Sequence, residues 1–180
     1  MRFHLSLITV LVAFVHGTVS ATDNFTLYAY GKGLQSGLQL VYGDGQAYIG
    51  LKLPSFAVQA TNIKLSLTDD AKLIATPDST ASWSSEPSLY IGADDGDLKK
   101  IGFSAGNETI PDGAIVAGFG LFGGWAYNSE HAGAIEMKFV ASPTNETDVY
   151  QVKWNVAGTK VTGGDIPISL RTEAPAVPED

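Results

Sequence analysis

Leu38–Gly50, LQLVYGDGQAYIG, decides the fold. Two runs of strand-forming residues, Leu38–Tyr42 and Gln46–Ile49, flank Gly43, Asp44 and Gly45, which tolerate positive φ, and runs joined in this way form a β-hairpin. The spacing predicts a three-residue turn at Gly43–Gly45. The same grammar repeats outward. Ile63, Leu65 and Leu67 alternate with Lys64 and Ser66, and Thr68, Asp69 and Asp70 turn the chain into Lys72–Thr76. Leu89–Gly92 and Leu98–Ser104 bracket a turn at Ala93–Asp97, and Phe25–Tyr30 mixes aromatic, aliphatic and small residues at strand spacing.

Toward the C-terminus, Ile135, Met137 and Phe139 alternate with Glu136 and Lys138, and Tyr150, Val152, Trp154 and Val156 alternate with Gln151, Lys153 and Asn155. Both read as half-buried antiparallel strands, with Trp154 in the core. Ala114–Trp125 is apolar but interrupted by Gly118, Gly120, Gly123 and Gly124. Four glycines at about 1 kcal/mol each exclude a helix, so this run reads as a central strand that bends. Ile166–Leu170 contains Pro167, which cannot donate to a ladder and marks an edge or a bulge. No helical periodicity spans a helix-length window, and about ten short strands point to an all-β fold, a single antiparallel β-sandwich of jelly-roll type over residues 22–171.

The flanks are of a different kind. Residues 1–21 place Arg2 before the apolar run Leu5–Val15 and end on Val19, Ser20 and Ala21, the pattern of a cleaved secretory signal. The run is too short for a hydrocarbon layer of about 30 Å. Residues 172–180, TEAPAVPED, read as a disordered acidic tail without the apolar segment of a lipid-anchor signal. An exported, cell-wall-associated or extracellular protein follows, and one domain of this length buries enough apolar surface to fold without staples. That matters because the chain has no cysteine, which also excludes thiolate zinc sites and cysteine nucleophiles.

The chain carries 11 Lys and Arg against 19 Asp and Glu, a formal charge of −8, and loses one more positive charge with Arg2. Such a balance disfavours nucleic acid and anionic membranes as partners, because phosphate backbones need clustered Lys and Arg. Asn24, Asn107 and Asn145 each begin an Asn-x-Thr sequon, and in an exported chain these are expected N-glycosylation sites on the surface.

Taken together, the hairpin Val41–Gly50, the segment Pro111–Phe119 (PDGAIVAGF), the strand holding Trp154 and Asn155, and the terminal Ile166–Thr172 (IPISLRT) resemble an uncharacterised family of small secreted ascomycete proteins. The likeness covers most of residues 22–180. It implies fungal secretion and a β-rich glycoprotein, and it implies no chemistry.

Several residues are candidates for function. Sugar rings stack on exposed Trp and Tyr while nearby polar groups take the hydroxyls. Trp83, set among Ser82, Ser84, Ser85 and Glu86, and Trp125 and Tyr127, which follow a double glycine, are the candidate ligand contacts. The competing reading folds Trp83 back as a plug over one end of the domain. Asp94, Asp95 and Asp97 around Gly96 gather oxygen ligands in a turn as calcium sites do, without the spacing of an EF-hand loop. Glu136, the strand glutamate, and His131 are the groups that a hydrolase would build on. Lys138 shares the Glu136 face, and His131 sits in a polar loop with no nucleophile elbow elsewhere in the chain. The sequence therefore leads to a secreted, monomeric, non-catalytic protein with no cofactor that binds a polysaccharide or cell-surface partner. The alternatives are a polysaccharide hydrolase and an effector directed at a protein.

Overall fold

A computed structural model describes residues 24–78, 83–92, 97–105, 108–129 and 133–176. The expected signal at 1–21, His131, Asp94, Asp95, Asn107 and the end of the expected tail at 177–180 lie outside the described residues. Among those described there is no helix and there are thirteen strands rather than about ten. They are β1 Tyr28–Tyr30, β2 Gln39–Gly43, β3 Gln46–Gly50, β4 Ala60–Leu67, β5 Leu73–Pro77, β6 Ser88–Ile91 and β7 Leu98–Ser104, followed by β8 Phe119–Phe122, β9 Trp125–Asn128, β10 Phe139–Pro143, β11 Val149–Asn155, β12 Ile166–Pro167 and β13 Ser169–Arg171.

The opening hairpin forms as β2 and β3, with a tighter turn than the spacing predicts. Gly43 pairs with Gln46, which leaves Asp44 and Gly45 alone in the turn at φ of 46° and 76°. Two consecutive positive φ values make a primed turn, whose twist matches that of the strands, and Asp-Gly is the pair best suited to it. The Asp44 carboxylate also accepts the backbone N–H groups of Val58 and Gln59, at 2.9 and 2.7 Å, and so pins the loop 51–59 beside the turn.

All strands join one sheet through antiparallel pairs; strand pairing closes one circuit, and the chain itself closes a second. One circuit runs β3, β7, β6, β5, β4, β2 and back to β3. The other leaves β2 through β1 to β13, follows the chain into β12, and returns through β10 and β11 to β3. The chain bends at Pro167 so that Ile166–Pro167 pairs with β10 while Ser169–Arg171 pairs with β1. The strand order ends at β12, the edge placement that Pro167 requires. The β2–β3 hairpin is the seam shared by both circuits.

Closure buries one face of nearly every strand. Leu27, Leu40, Ile49, Leu65, Leu89, Ile101, Phe119, Phe139 and Leu170 are almost wholly buried, and Trp154 meets Phe139 edge-on at 5.0 Å in the same core. Each such side chain contributes about 1.5–3 kcal/mol, the stabilisation available to a chain without disulfides.

Two readings of the sequence are corrected. Ala114–Trp125 is not one bent central strand. Gly123 and Gly124, at φ of 57° and 84°, form a second primed turn, so β8 and β9 are a hairpin and β8 lies at the end of the sheet opposite β12. Ile135 and Met137 are not half-buried strand positions. They are 53% and 36% exposed, because residues 133–138 meet the sheet at the Asn128–Glu136 bridge and where Lys138 O accepts the Asn155 N–H, while the β10–β11 ladder begins at Phe139.

Candidate functional site

Strand alternation builds one solvent-facing aromatic surface. Ala29 of β1, Leu170 of β13 and Ala126 of β9 point into the core. Their neighbours Tyr28, Tyr30, Ser169, Arg171, Trp125 and Tyr127 therefore stand on the other side, half-buried. The register aligns them. Tyr28 pairs with Arg171, Arg171 with Trp125, and Trp125 with Phe122, a row crossing four strands; Tyr30 pairs with Ser169 in the next row. Phe122, at the hairpin tip, is 66% exposed.

Contacts hold the rings in place. Tyr30 meets Trp125 edge-on at 5.6 Å, and the Arg171 guanidinium carbon lies 4.9 Å from the centre of the Trp125 ring. Arg171 is fixed in turn by an ion pair with Glu173 at 2.5 Å, and the Tyr30 hydroxyl donates to the Glu173 carbonyl at 2.8 Å. The segment that follows β13 thus braces this face, and the Thr172 N–H donating to Gly124 O at 3.0 Å ties it to the turn. The tip of the Tyr127 phenol lies over Gly120 of β8, where an added Cβ would stand 2.4 Å from Cζ and from the hydroxyl oxygen. Only glycine leaves room for a phenol pressed against the neighbouring strand.

Trp83 is elsewhere. It folds onto Tyr42 of β2 with ring centres 4.9 Å apart at 51°, and Tyr42 packs on Phe103 of β7 at 5.6 Å. Trp83 is half-buried and packed against the core, so it plugs that region while still forming one wall of a groove of about 200 Å³. Gln59, Ser84 and Glu108 complete the polar side. Burial raises the Tyr42 pKa above the usual phenol value, a backbone hydrogen bond from Gly45 opposes this, and the negative charges of Glu108 and Asp44 add to the rise.

The remaining candidates are placed as follows. The Glu136 carboxylate is held by Lys138 Nζ at 2.6 Å, with both side chains partly exposed. Asp97 is exposed and its carbonyl accepts the Val156 N–H at 2.9 Å. Among the described residues no three His, Asp or Glu side chains gather into a metal-binding group. Asn24 and Asn145 are exposed. Glu146, inside the last sequon, accepts from Lys52 Nζ at 2.8 Å and from the Ser55 N–H at 2.9 Å, and these contacts hold its carboxyl below the ordinary value.

Sequence reasoning named Trp125 and Tyr127 as candidates and did not name Tyr28, Tyr30, Phe122 and Arg171, which share their surface. The signal was present in Tyr28-Ala29-Tyr30, where a small inward residue between two rings leaves both rings outside. Tyr42, Phe103 and Glu108 carry no such local mark, since only the closed sheet brings them to Trp83.

No protein-family model, curated protein or solved structure matches this chain.

Proposed function

We propose that the protein is a secreted, non-catalytic glycan-binding protein of fungal origin, a jelly-roll-like sandwich N-glycosylated at Asn24, Asn107 and Asn145. Its contact surface is the aromatic face of β1, β13, β9 and β8. One observation carries the reading: Tyr28, Tyr30, Trp125, Tyr127 and Phe122 share one solvent-facing side of four paired strands. β1 and β9 are two strand spacings apart, about 9.6 Å, so rings on the two strands can meet successive sugars of an extended polymer. Stacked rings and the Arg171 donors supply what a neutral polysaccharide needs, apolar contact for pyranose faces and hydrogen bonds for hydroxyls.

The test is retention of the deglycosylated mature protein on insoluble chitin, β-glucan and cellulose. Retention of the wild type that is lost in a Tyr30→Ala, Trp125→Ala double variant supports the reading. Equal retention of both proteins, or none of the wild type on any polymer, refutes it.

A further inference from the structure

The Trp83 groove has a different chemistry from the aromatic face. Three rings, Trp83, Tyr42 and Phe103, lie in successive tilted contact at 4.9 and 5.6 Å. The Glu108 carboxylate lines the same space. Its Oε2 accepts the Ala105 N–H at 3.2 Å, and no ion pair to Glu108 is found among the described residues. No Lys or Arg is among the described residues that line the groove, and the chain as a whole carries a formal charge of −8. The charge placed beside the groove is accordingly negative.

Ring faces carry negative quadrupole potential, and an ammonium group beside them is attracted most strongly when the site is partly desolvated. A carboxylate at the rim adds direct charge attraction. A groove of about 200 Å³ holds a trimethylammonium or aminomethyl head and is too small for a polymer chain. We propose that this groove is a binding site for an alkylammonium group, with Trp83 and Tyr42 as the ring walls and Glu108 as the counter-charge. The site is separate from the glycan face and stands or falls without it.

The experiment is calorimetric titration at neutral pH with choline and with its uncharged isostere 3,3-dimethylbutan-1-ol, alongside glucosamine and N-acetylglucosamine. The site predicts saturable choline binding at least about tenfold tighter than binding of the isostere, the difference that charge over desolvated rings provides. Glu108→Gln weakens choline several-fold and leaves the isostere unchanged, and Trp83→Ala abolishes choline binding. A gain for glucosamine over its acetylated form identifies protonated amines as ligands, and its absence with choline bound restricts the class to quaternary ammonium. Thermal melting confirms that each variant is folded. If Trp83→Ala is not, the Glu108→Gln and isostere comparisons still decide. Choline and isostere binding alike, or no choline binding at tens of millimolar, overturns the proposal, and neither result bears on polysaccharide retention.

Discussion

The aromatic face and the Trp83 groove use the same residue types in opposite ways. On the face, rings alternate with Ala29 and Ala126, so each ring stands clear of the core and is steadied from the side by Arg171, Gly120 or another ring. In the groove, Tyr42 and Trp83 lie on Phe103, itself 3% exposed, and are continuous with the core. A surface made by alternation is only weakly coupled to the fold's stability; a surface made by the core's own rim is strongly coupled to it.

The largest expected effect tests that coupling. Phe103→Ala removes a buried ring beneath the groove and should cost about 3–5 kcal/mol in denaturant unfolding. Tyr28→Ala on the face should cost about 1 kcal/mol or less. Similar losses for the two would mean that the face is as much a part of the core as the groove is.

Trp125→Ala comes next. It removes the edge contact with Tyr30 and the guanidinium stack of Arg171, together worth about 1–2 kcal/mol, and it leaves Arg171 held by the Glu173 ion pair. Unfolding measurements should show that modest loss, while polymer retention should fall to background. A variant that keeps full retention would move the contact surface away from β9.

Gly120→Ala sharpens the comparison by its sign. Alanine in place of glycine inside a strand ordinarily stabilises by about 0.5–1 kcal/mol. Here the new Cβ meets the Tyr127 ring at 2.4 Å, so the ring must lift off β8, and the variant should be less stable than the wild type and weaker in retention. A melting temperature above the wild type's would show that Tyr127 gives way freely and that its place on Gly120 is incidental.

How much of this was legible in the sequence follows the same division. Strand identity and the inward positions were readable where a pattern of period two lies over a core, as at Ile63–Leu67 and Val152–Trp154. The pattern misled at Ile135 and Met137, where alternation continues past the end of the ladder and the more covered side falls to Glu136 and Lys138. Gly123 and Gly124 were read as interruptions of a strand because a Gly-Gly pair serves a bend or a primed turn equally well, and only the partner strand at Trp125–Asn128 decides. The double closure was beyond reach, since it depends on Gln46 meeting Gly102 and on the chain splitting its pairing at Pro167. The candidate site divides likewise: Trp125 and Tyr127 were visible as rings after a turn, whereas Tyr42 and Glu108 reach Trp83 through contacts remote in the chain.

The smallest effect is a titration that belongs to the groove. Burial, with Glu108 and Asp44 nearby, holds the Tyr42 phenol above its ordinary value in the folded protein. In the unfolded chain the same phenol ionises near pH 10. Between these two values the folded state binds more protons than the unfolded state, so stability is fully present below about pH 10 and declines as pH rises toward the folded pKa. The melting temperature should therefore drop on the alkaline side, Tyr42→Phe should flatten part of that drop, and Glu108→Gln should flatten less of it, because burial is the larger cause. Tyr48, raised by burial and then by Asp44, contributes to the portion that remains in Tyr42→Phe. An alkaline profile identical in wild type and Tyr42→Phe would place the Tyr42 hydroxyl in open solvent, and the groove would then lack the desolvated wall that distinguishes it from the aromatic face.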